Sequence, residues 1–279
     1  MKLTPQQLDQ FDRDGYLFFP RLFTQAEITP LLDEVPRLYA QQRPENVLEK
    51  SGVVRTNFAA HMYSKPFATL ARHPRMLKPV MQMYGEKLYM HQFKINGKMA
   101  FDGDVWQWHQ DYGTWVNDDH IPEPRAMNVA IFLDEVNEFN GPLMFIPGSH
   151  KLGVIEASHD LTTTSYPLWT INHDTIAKLV DRGGIVAPKG PPGSMIMFHS
   201  CLVHSSTSNL SPWNRVAVYL SVCAVSNHIR RFNRPEYIAH RDFTPLECLP
   251  DDCLLTNYDV PLPWQHGTPA EALKSALAA

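Results

Sequence analysis

From about residue 87 onward, the sequence is built from short runs rich in β-branched and aromatic residues, with glycine, proline and asparagine between them. Runs of this composition are typical of β-strands that are joined by turns. We expect such strands at residues 88–95, 128–133, 143–146, 194–198 and 216–222. Because many short strands favour closed or double-layered antiparallel architectures, the sequence predicts a β-barrel or a jelly roll as the core.

The N-terminal part of the chain carries helix signals instead. Thr4 and Pro5 form a cap followed by proline at the first helical position, and Gly15 is a typical helix end. A strand is expected next, at residues 16–20. We therefore expect a helix and a strand to precede the β core.

A second helix is expected after Thr24, because Thr24 and Glu27 have the spacing of a capping box and apolar residues follow at helical intervals. Pro30 and Pro36 lie inside this pattern, so we expect the helix to kink or to end early. A further helix is expected near residues 174–183. The sequence shows neither a linker nor an internal repeat, which predicts one domain over residues 1–279 with N-terminal helices packed on the β core.

Charge and composition exclude several classes of function. The formal net charge is -4 and no long run of lysine or arginine is present, so neither nucleic acid nor an acidic membrane surface is an expected partner. No apolar run is long enough to span a membrane, and the polar N-terminal segment lacks a signal-peptide pattern. The expected partner is a small molecule, and the sequence leaves the oligomeric state open.

Four cysteines are present, namely Cys201, Cys223, Cys248 and Cys253. They are sparse in a chain of 279 residues, and none of them forms a C-x-x-C pair. We expect free thiols in a cytoplasmic protein rather than disulfides or a zinc–thiolate site.

The strongest chemical signal is the tripeptide His109-Gln110-Asp111. Residues i and i+2 of a strand point to the same side, so this sequence at a strand end places an imidazole and a carboxylate together. With a second histidine they form a 2-His-1-carboxylate face, the site type that binds iron(II) for oxygen chemistry. The tripeptide alone is weak evidence, because the chain has 13 histidines.

The third ligand separates this tripeptide from a second His-x-Asp copy at residues 240–242. The distal histidine must come from a later strand that folds back beside the first, and after the second copy only His266 follows, in a proline-flanked tail. The first copy is followed by His204, which an apolar run precedes and a polar turn follows. His199 is a rival for this position, but it directly follows an aromatic residue, which favours a packed histidine.

An arginine completes the pattern. Arg215 stands at the head of an apolar strand, after the polar turn that follows His204. We expect this turn to bring the arginine across from the histidine on the neighbouring antiparallel strand, where its planar fork can hold a carboxylate. The sequence therefore predicts an anion-binding arginine beside three metal ligands, His109, Asp111 and His204.

With these residues in view, the chain resembles the phytanoyl-CoA dioxygenase family of iron and 2-oxoglutarate oxygenases, and within it the branch of ectoine hydroxylases and bacterial L-proline trans-4-hydroxylases. The resemblance is carried by MHQFKIN at 90–96, GDVWQWHQDY at 103–112, GPLMFIPGSH at 141–150, RPEY at 234–237 and FDRDGYL at 11–17. It extends over nearly the whole chain. It implies a double-stranded β-helix, the cupin-like form of the jelly roll, with flanking helices.

The resemblance also implies roles for individual residues. The predicted metal ligands match the family's iron ligands, and positions that contact 2-oxoglutarate are matched by Arg215, Lys98 and Asn96. Positions that face the substrate in ectoine hydroxylases are matched by Gln92, Trp115 and Phe198. A phenylalanine that lines the ectoine pocket is replaced here by Tyr219. Arg125 is a further group that could bind a zwitterionic substrate.

Purely structural roles stay open for several of these residues. Lys98 and Arg125 could be solvated surface charges, and the aromatic residues could belong to the core, which is the preferred interpretation for Trp106. One loop is expected to be solvated rather than to clamp a substrate; its arginines are Arg230, Arg231 and Arg234.

The resemblance implies an enzyme that uses iron(II), 2-oxoglutarate and O2 to hydroxylate a small free cyclic amino acid, with release of succinate and carbon dioxide. L-Proline is the first substrate to expect, with ectoine or another small metabolite as the alternative. Because Asp111 fills the carboxylate position, a halide has no vacant ligand site, and halogenation is not expected. Two other classes stay open: a non-catalytic cupin-like binding module, and a zinc hydrolase or isomerase with the same ligands.

Overall fold

Two antiparallel sheets and a layer of helices make up the structure, a computed structural model that describes residues 1–256 and 258–264. The α-helices are α1 (Pro5–Asp14), α2 (Gln25–Tyr39), α3 (Lys65–Leu70), α4 (Pro74–Tyr84), α5 (Asp111–Thr114) and α6 (His173–Gly183). The strands are β1 (Tyr16–Phe19), β2 (Asn46–Leu48), β3 (Val54–Phe58), β4 (Leu88–Lys98), β5 (Trp106–His109), β6 (Ala126–Phe132), β7 (Leu143–Phe145), β8 (Ser158–Asp160), β9 (Leu168–Thr170), β10 (Met195–His199), β11 (His204–Ser206) and β12 (Arg215–Ala224). The predicted mainly β fold with flanking helices is confirmed.

The strands are arranged so that neighbours in a sheet are often distant in the chain. The larger sheet has seven strands in the order β1-β10-β6-β12-β4-β3-β2, and the smaller has three in the order β5-β11-β7. Strands β8 and β9 form a separate hairpin. The smaller sheet thus joins one strand from each of three separate regions of the sequence.

Successive side chains of a strand point to opposite faces, and the larger sheet packs helices α1–α4 on one face and the smaller sheet on the other. Ile131 of β6 belongs to a buried cluster with Leu31 of α2. The next residue, Phe132, belongs to a different cluster, with Phe145 of β7. Residues on this second face therefore lie between the two sheets, which is where a site can form.

Most of these elements match the sequence predictions. The five strands expected after residue 87 correspond to β4, β6, β7, β10 and β12. Helix α1 ends at Gly15, which adopts the left-handed conformation with φ of 82°. No bounds were predicted for strands β2, β3, β8, β9 and β11. Strand β3 has five residues, and the other four have only three residues each. None of the helices in the described residues is long and apolar enough to cross a membrane.

The expectation that α2 ends early is wrong. Its capping box forms, with Thr24 and Glu27 satisfying each other's backbone N–H groups, but the helix continues past Pro30 and Pro36 to Tyr39. A proline inside a helix costs about 3 kcal/mol. The opposite face buries several apolar side chains, each of which contributes roughly 1.5–3 kcal/mol. Both prolines lie on the exposed face, so packing outweighs their cost; the buried apolar residues are Ile28, Leu31, Val35 and Leu38.

Candidate metal centre and its cavity

The pairing of two strands brings two of the three predicted ligands, His109 and His204, together. Strand β11 runs antiparallel to β5, and in this register His204 is the partner of His109. With Asp111 they form a cluster in which one ligand atom from each residue lies within 4.8 Å of the others. Among the described residues this is the one such group of three or more histidine, cysteine or acidic side chains.

Asp111 lies on a different element from the one expected. Strand β5 ends at His109, and Asp111 is the first residue of the short helix α5, so the strand rule for i and i+2 does not apply. Gln110 holds this turn, because its side-chain amide donates to the carbonyl oxygens of Gly153 (2.8 Å) and Cys201 (2.6 Å). The Asp111 carboxylate consequently lies 3.8 Å from Nε2 of His109 and 3.5 Å from Nε2 of His204.

Both imidazoles are oriented by backbone carbonyl groups. The Nδ1–H of His109 donates to Gln107 (2.6 Å), and the Nδ1–H of His204 donates to Leu202 (2.9 Å). These bonds fix the tautomer and leave each Nε2 lone pair free for a metal. Burial lowers the pKa of His109 to about 3 and also lowers the pKa of His204. Both rings are therefore in the neutral form that metal binding requires.

The carboxylate is held and kept ionised by its surroundings. Asn128 donates to Oδ2 of Asp111 (2.7 Å), and Ser221 donates to the Asn128 side-chain oxygen (2.6 Å). Burial raises the pKa of Asp111, but the nearby Lys94 and the two histidines outweigh it and lower the pKa to about 2. Two neutral imidazoles and one carboxylate on one side of a cavity are the donor set that suits iron(II).

The rival histidines do not join this cluster. His199 lies at the end of β10, where its ring is 5.3 Å from that of His150 and its Nδ1 accepts from the backbone of Cys201. His240, from the second His-x-Asp copy, is buried with its ring 4.7 Å from that of His61. His266 lies outside the described residues.

A cavity opens beside the three ligands. Its wall residues are Lys94, Asn96, Trp106, His109, Asp111, Leu143, Leu168, Phe198, His204, Ser206, Arg215 and Tyr219. Of the residues predicted for cosubstrate and substrate, four are thus brought to the cavity: Asn96, Phe198, Arg215 and Tyr219.

Arg215 approaches the cavity from the opposite sheet, so the expectation that it lies on the strand next to His204 is wrong. Strand β12 pairs with β4 and β6, whereas β11 pairs with β5 and β7. The loop after β11 crosses from one sheet to the other, and the arginine faces the histidine across the cavity. Nη2 of Arg215 donates to the carbonyl of Gly141 (2.6 Å). Its buried Nε and the buried hydroxyl of Ser206 have no hydrogen-bond partner in the described residues.

Other predicted residues lie outside the cavity wall. Lys98 is buried rather than solvated, and its Nζ donates to the carbonyl oxygens of Asp104 and Thr207. Gln92 is buried on β4, opposite Ser221 of β12. Trp115 is a core residue whose ring lies edge-on to His91, with centroids 5.0 Å apart. Arg125 pairs with Glu86 (2.7 Å) just before β6 begins.

One arginine of the predicted solvated loop is bound instead. Arg234 makes two hydrogen bonds to the buried carboxylate of Asp119, and its side chain is only 14% exposed. Arg230 and Arg231 have exposed side chains, as expected.

Three polar or aromatic residues of the cavity wall were not predicted from the sequence. Lys94 and Ser206 lie two positions from Asn96 and His204, and alternation along a strand would have placed them on the same face. Trp106, expected in the core, lines the cavity, and its ring centroid lies 4.0 Å from the guanidinium of Arg55. Leu168 comes from the β8–β9 hairpin, which no sequence signal placed beside the metal ligands.

A β fold of this kind with two histidines and one carboxylate at a cavity defines the class of mononuclear non-haem metal-dependent oxygenases. The model of the phytanoyl-CoA dioxygenase (PhyH) family matches residues 11–217. The chain belongs to the phytanoyl-CoA dioxygenase family, and the predicted jelly roll is thereby confirmed.

Individual relatives agree with this assignment. The chain is 35% identical over 248 residues to an L-proline trans-4-hydroxylase of Streptomyces griseoviridis, covering 85% of this chain and 92% of the relative. It is 34% identical over 257 residues to an ectoine dioxygenase of Nocardia farcinica, covering 86% of each chain. The crystal structure of EctD from Sphingopyxis alaskensis with 2-oxoglutarate and 5-hydroxyectoine superposes with a TM-score of 0.79 at 31% identity, covering 88% of this chain and 87% of that one.

Proposed function

We propose that this dioxygenase uses iron(II), held by His109, Asp111 and His204, and 2-oxoglutarate to hydroxylate a small free cyclic amino acid. One observation carries the proposal: a single cavity joins a three-residue metal centre to a buried guanidinium whose Nε has no hydrogen-bond partner among residues 1–256 and 258–264. An oxygenase that needs a dicarboxylate cosubstrate requires this combination. Neither a zinc hydrolase nor a passive binding module requires the arginine.

The cosubstrate is expected to span the cavity from the metal to Arg215. Bound iron supplies the activation of O2 that couples decarboxylation of 2-oxoglutarate, to succinate and carbon dioxide, with hydroxylation of the substrate. Arg215 would hold the far carboxylate, because a planar guanidinium matches carboxylate geometry. Within the described part of the chain, Nε of Arg215 and the hydroxyl of Ser206 have no hydrogen-bond partner. This supports the placement, since buried donors are rarely left without acceptors. Asn96 lines the same space.

L-Proline is the substrate that we propose first. The relative named above that acts on proline is similar over most of both chains. Ectoine is the second candidate, because the solved neighbour with 5-hydroxyectoine shares the fold at 31% identity. Phe198 and Tyr219 place aromatic surface on the cavity wall for such a ring.

The test is a turnover screen with iron(II), 2-oxoglutarate and ascorbate. L-Proline, L-pipecolate, ectoine and linear amino acids are compared with a CoA thioester, and both succinate and hydroxylated product are followed by mass spectrometry. Hydroxyproline formed in step with succinate supports the proposal. Product from the thioester but from no amino acid or ectoine would contradict the substrate class. An enzyme that binds no iron after reconstitution, or consumes no O2, would instead favour the binding module or the zinc enzyme.

We also propose that the enzyme works in the cytoplasm. All four cysteines are free thiols, and Cys201, Cys223 and Cys253 are buried. A reducing compartment is where unpaired thiols are usual. Fractionation of cells of the source organism, followed by detection of the protein, tests this location.

A further inference from the structure

Lys94 is a half-buried lysine on the cavity wall. It lies on β4 two positions before Asn96, and the alternation of the strand directs both residues into the space between the sheets. Its side chain is 14% exposed, so the ammonium group is largely removed from bulk water. A buried ammonium group needs acceptors for its three N–H donors.

Lys94 does not find these acceptors in the described part of the chain. Its one ion-pair partner there is Asp111, with 3.9 Å between Nζ and Oδ1, and its Nζ makes no hydrogen bond to a described residue. The ring of Tyr219 is distant, with its centroid 5.9 Å from Nζ. Asp111 is itself a metal ligand, so its charge is shared with the metal and is a poor sole partner for a lysine.

Lys98, on the same strand, shows how a buried lysine is satisfied in this fold. Its Nζ donates to the carbonyl oxygens of Asp104 (2.5 Å) and Thr207 (2.6 Å). Lys98 is therefore a structural cation that closes two loops. The N–H donors of Lys94 are therefore available to a ligand that enters the cavity.

In the proposed complex the positive charges outnumber the negative ones, so one cation is free to pair with a further carboxylate. The charged wall residues are Lys94, Arg215 and Asp111, and iron(II) adds two positive charges. 2-Oxoglutarate carries two negative charges and pairs with the metal and with Arg215. One positive charge is then left unbalanced near Lys94, in a site where burial makes an unpaired charge costly.

We infer that Lys94 binds the carboxylate of the amino-acid substrate and so determines which end of the substrate is held beside the metal. This inference rests on the proposed function. The same ammonium could bind the 2-oxo acid end of the cosubstrate, because the chemistry is again that of a carboxylate. Because both carboxylates of 2-oxoglutarate already have cationic partners, the substrate carboxylate is the group left to pair with Lys94. Trp106 and Leu168 supply apolar surface for the substrate ring on the same wall.

The test compares L-proline with L-prolinamide, which keeps the ring and the amine but lacks the negative charge. Each is titrated calorimetrically, without oxygen, into enzyme loaded with iron(II) and 2-oxoglutarate. In the wild type, the Kd of the amide should exceed that of proline about ten- to hundredfold, the range of a charge-assisted hydrogen bond. In Lys94→Met the affinity for proline should fall by the same factor and the amide should change little, so that the ratio approaches one. Lys94→Arg should keep most of the preference.

Three measurements separate the outcomes. The Kd of 2-oxoglutarate is measured first in each variant, and Lys189→Met, which removes a surface lysine that is 44% exposed, is the matched control. Thermal unfolding shows that each variant folds. An unchanged proline-to-prolinamide ratio in Lys94→Met overturns the inference, and a tenfold loss of 2-oxoglutarate affinity with that unchanged ratio assigns the lysine to the cosubstrate instead.

Failure of the proposed function has a different signature. The wild type would then neither bind nor hydroxylate any amino acid or ectoine, and both proposals would fall together. If the wild type hydroxylates ectoine rather than proline, the comparison is made between ectoine and its carboxamide, with the same expected loss of preference in Lys94→Met.

Discussion

His204 lies directly opposite His109 in the pairing of β11 with β5, and the centroids of their rings are 4.1 Å apart. Much of the β core lies between the two residues in sequence. The metal centre therefore forms only when these strands pair, and the backbone carbonyls of the same segments orient both rings. Both rings line the cavity, so removing one of them should affect the metal more than the fold.

Replacing His109, Asp111 or His204 by alanine is predicted to abolish iron binding and turnover while the protein stays folded. A mononuclear site with three protein ligands cannot hold iron(II) firmly with two. Iron content after anaerobic reconstitution, together with thermal unfolding, checks this. His240→Ala is the control and should retain the metal. Full iron occupancy in His204→Ala would move the third ligand to His199.

Arg215→Ala is predicted to raise the Kd of 2-oxoglutarate about ten- to hundredfold, because a charge-assisted hydrogen bond contributes roughly 1.5–3 kcal/mol. Arg215→Lys should restore part of the affinity, since an ammonium group lacks the planar fork. Anaerobic titration of the iron-loaded enzyme measures both values. An unaltered Kd in the alanine variant would show that the cosubstrate is anchored elsewhere.

The sequence predicted the elements whose pattern is long enough to read. Strand β12 was expected because its apolar run is continuous, and α1 because its cap, proline and final glycine agree. Strand β11 has three residues, and nothing in its composition separates it from a loop. Helix α5 has only four residues, so no pattern separated it from the strand before it. Asp111 was therefore assigned to that strand, although it begins the helix.

The candidate site was predictable in its residue types but not in its arrangement. The spacing of histidine, aspartate and arginine pointed to His109, Asp111, His204 and Arg215, and the structure brings them to one cavity. Spacing alone could not show that the arginine comes from the other sheet, because the connection after β11 changes sheets. The burial of Lys98 could likewise not be predicted from the sequence, since its carbonyl partners lie on two distant loops.

Asn128→Ala is predicted to weaken iron binding about ten- to hundredfold without abolishing it, the range for outer-shell partners of metal ligands. The Asn128 side chain donates to Asp111 (2.7 Å) and accepts from Ser221 (2.6 Å), so its loss frees the carboxylate to rotate. Competition for iron(II) with a chelator gives the affinity. Asn140→Ala, which removes an amide that is hydrogen-bonded to Glu135 and Asn137 and to none of the metal ligands, should leave that affinity unchanged.

Asp119→Ala is predicted to destabilise the fold by about 3–5 kcal/mol, because it leaves the buried guanidinium of Arg234 without its partner. Asp119 is fully buried, and Nε2 of His91 lies 3.3 Å from its carboxylate. The contrast is Asp14→Ala, which removes an ion pair whose arginine is 68% exposed and should cost about 0–1 kcal/mol. Urea unfolding measures both, and equal losses in the two variants would contradict the structural role of Asp119.

Tyr219 lines the same cavity as Arg215, at a position where the resemblance to ectoine hydroxylases implies phenylalanine. Burial raises the pKa of Tyr219, and the charge of the nearby Arg215 guanidinium offsets part of that increase. The hydroxyl thus lies at the arginine end of the cavity, where the far carboxylate of 2-oxoglutarate is expected. Tyr219→Phe should therefore raise the Kd of 2-oxoglutarate about two- to tenfold, the range of a neutral hydrogen bond.

The same variant should leave the choice of substrate almost unchanged. The ratio of kcat/KM for proline to that for ectoine measures this choice, and Tyr258→Phe, at an exposed position, is the matched control. If Tyr219→Phe shifted the ratio toward ectoine while the Kd of 2-oxoglutarate stayed constant, the hydroxyl would act on the substrate instead. The replacement of phenylalanine by tyrosine would then be a determinant of specificity.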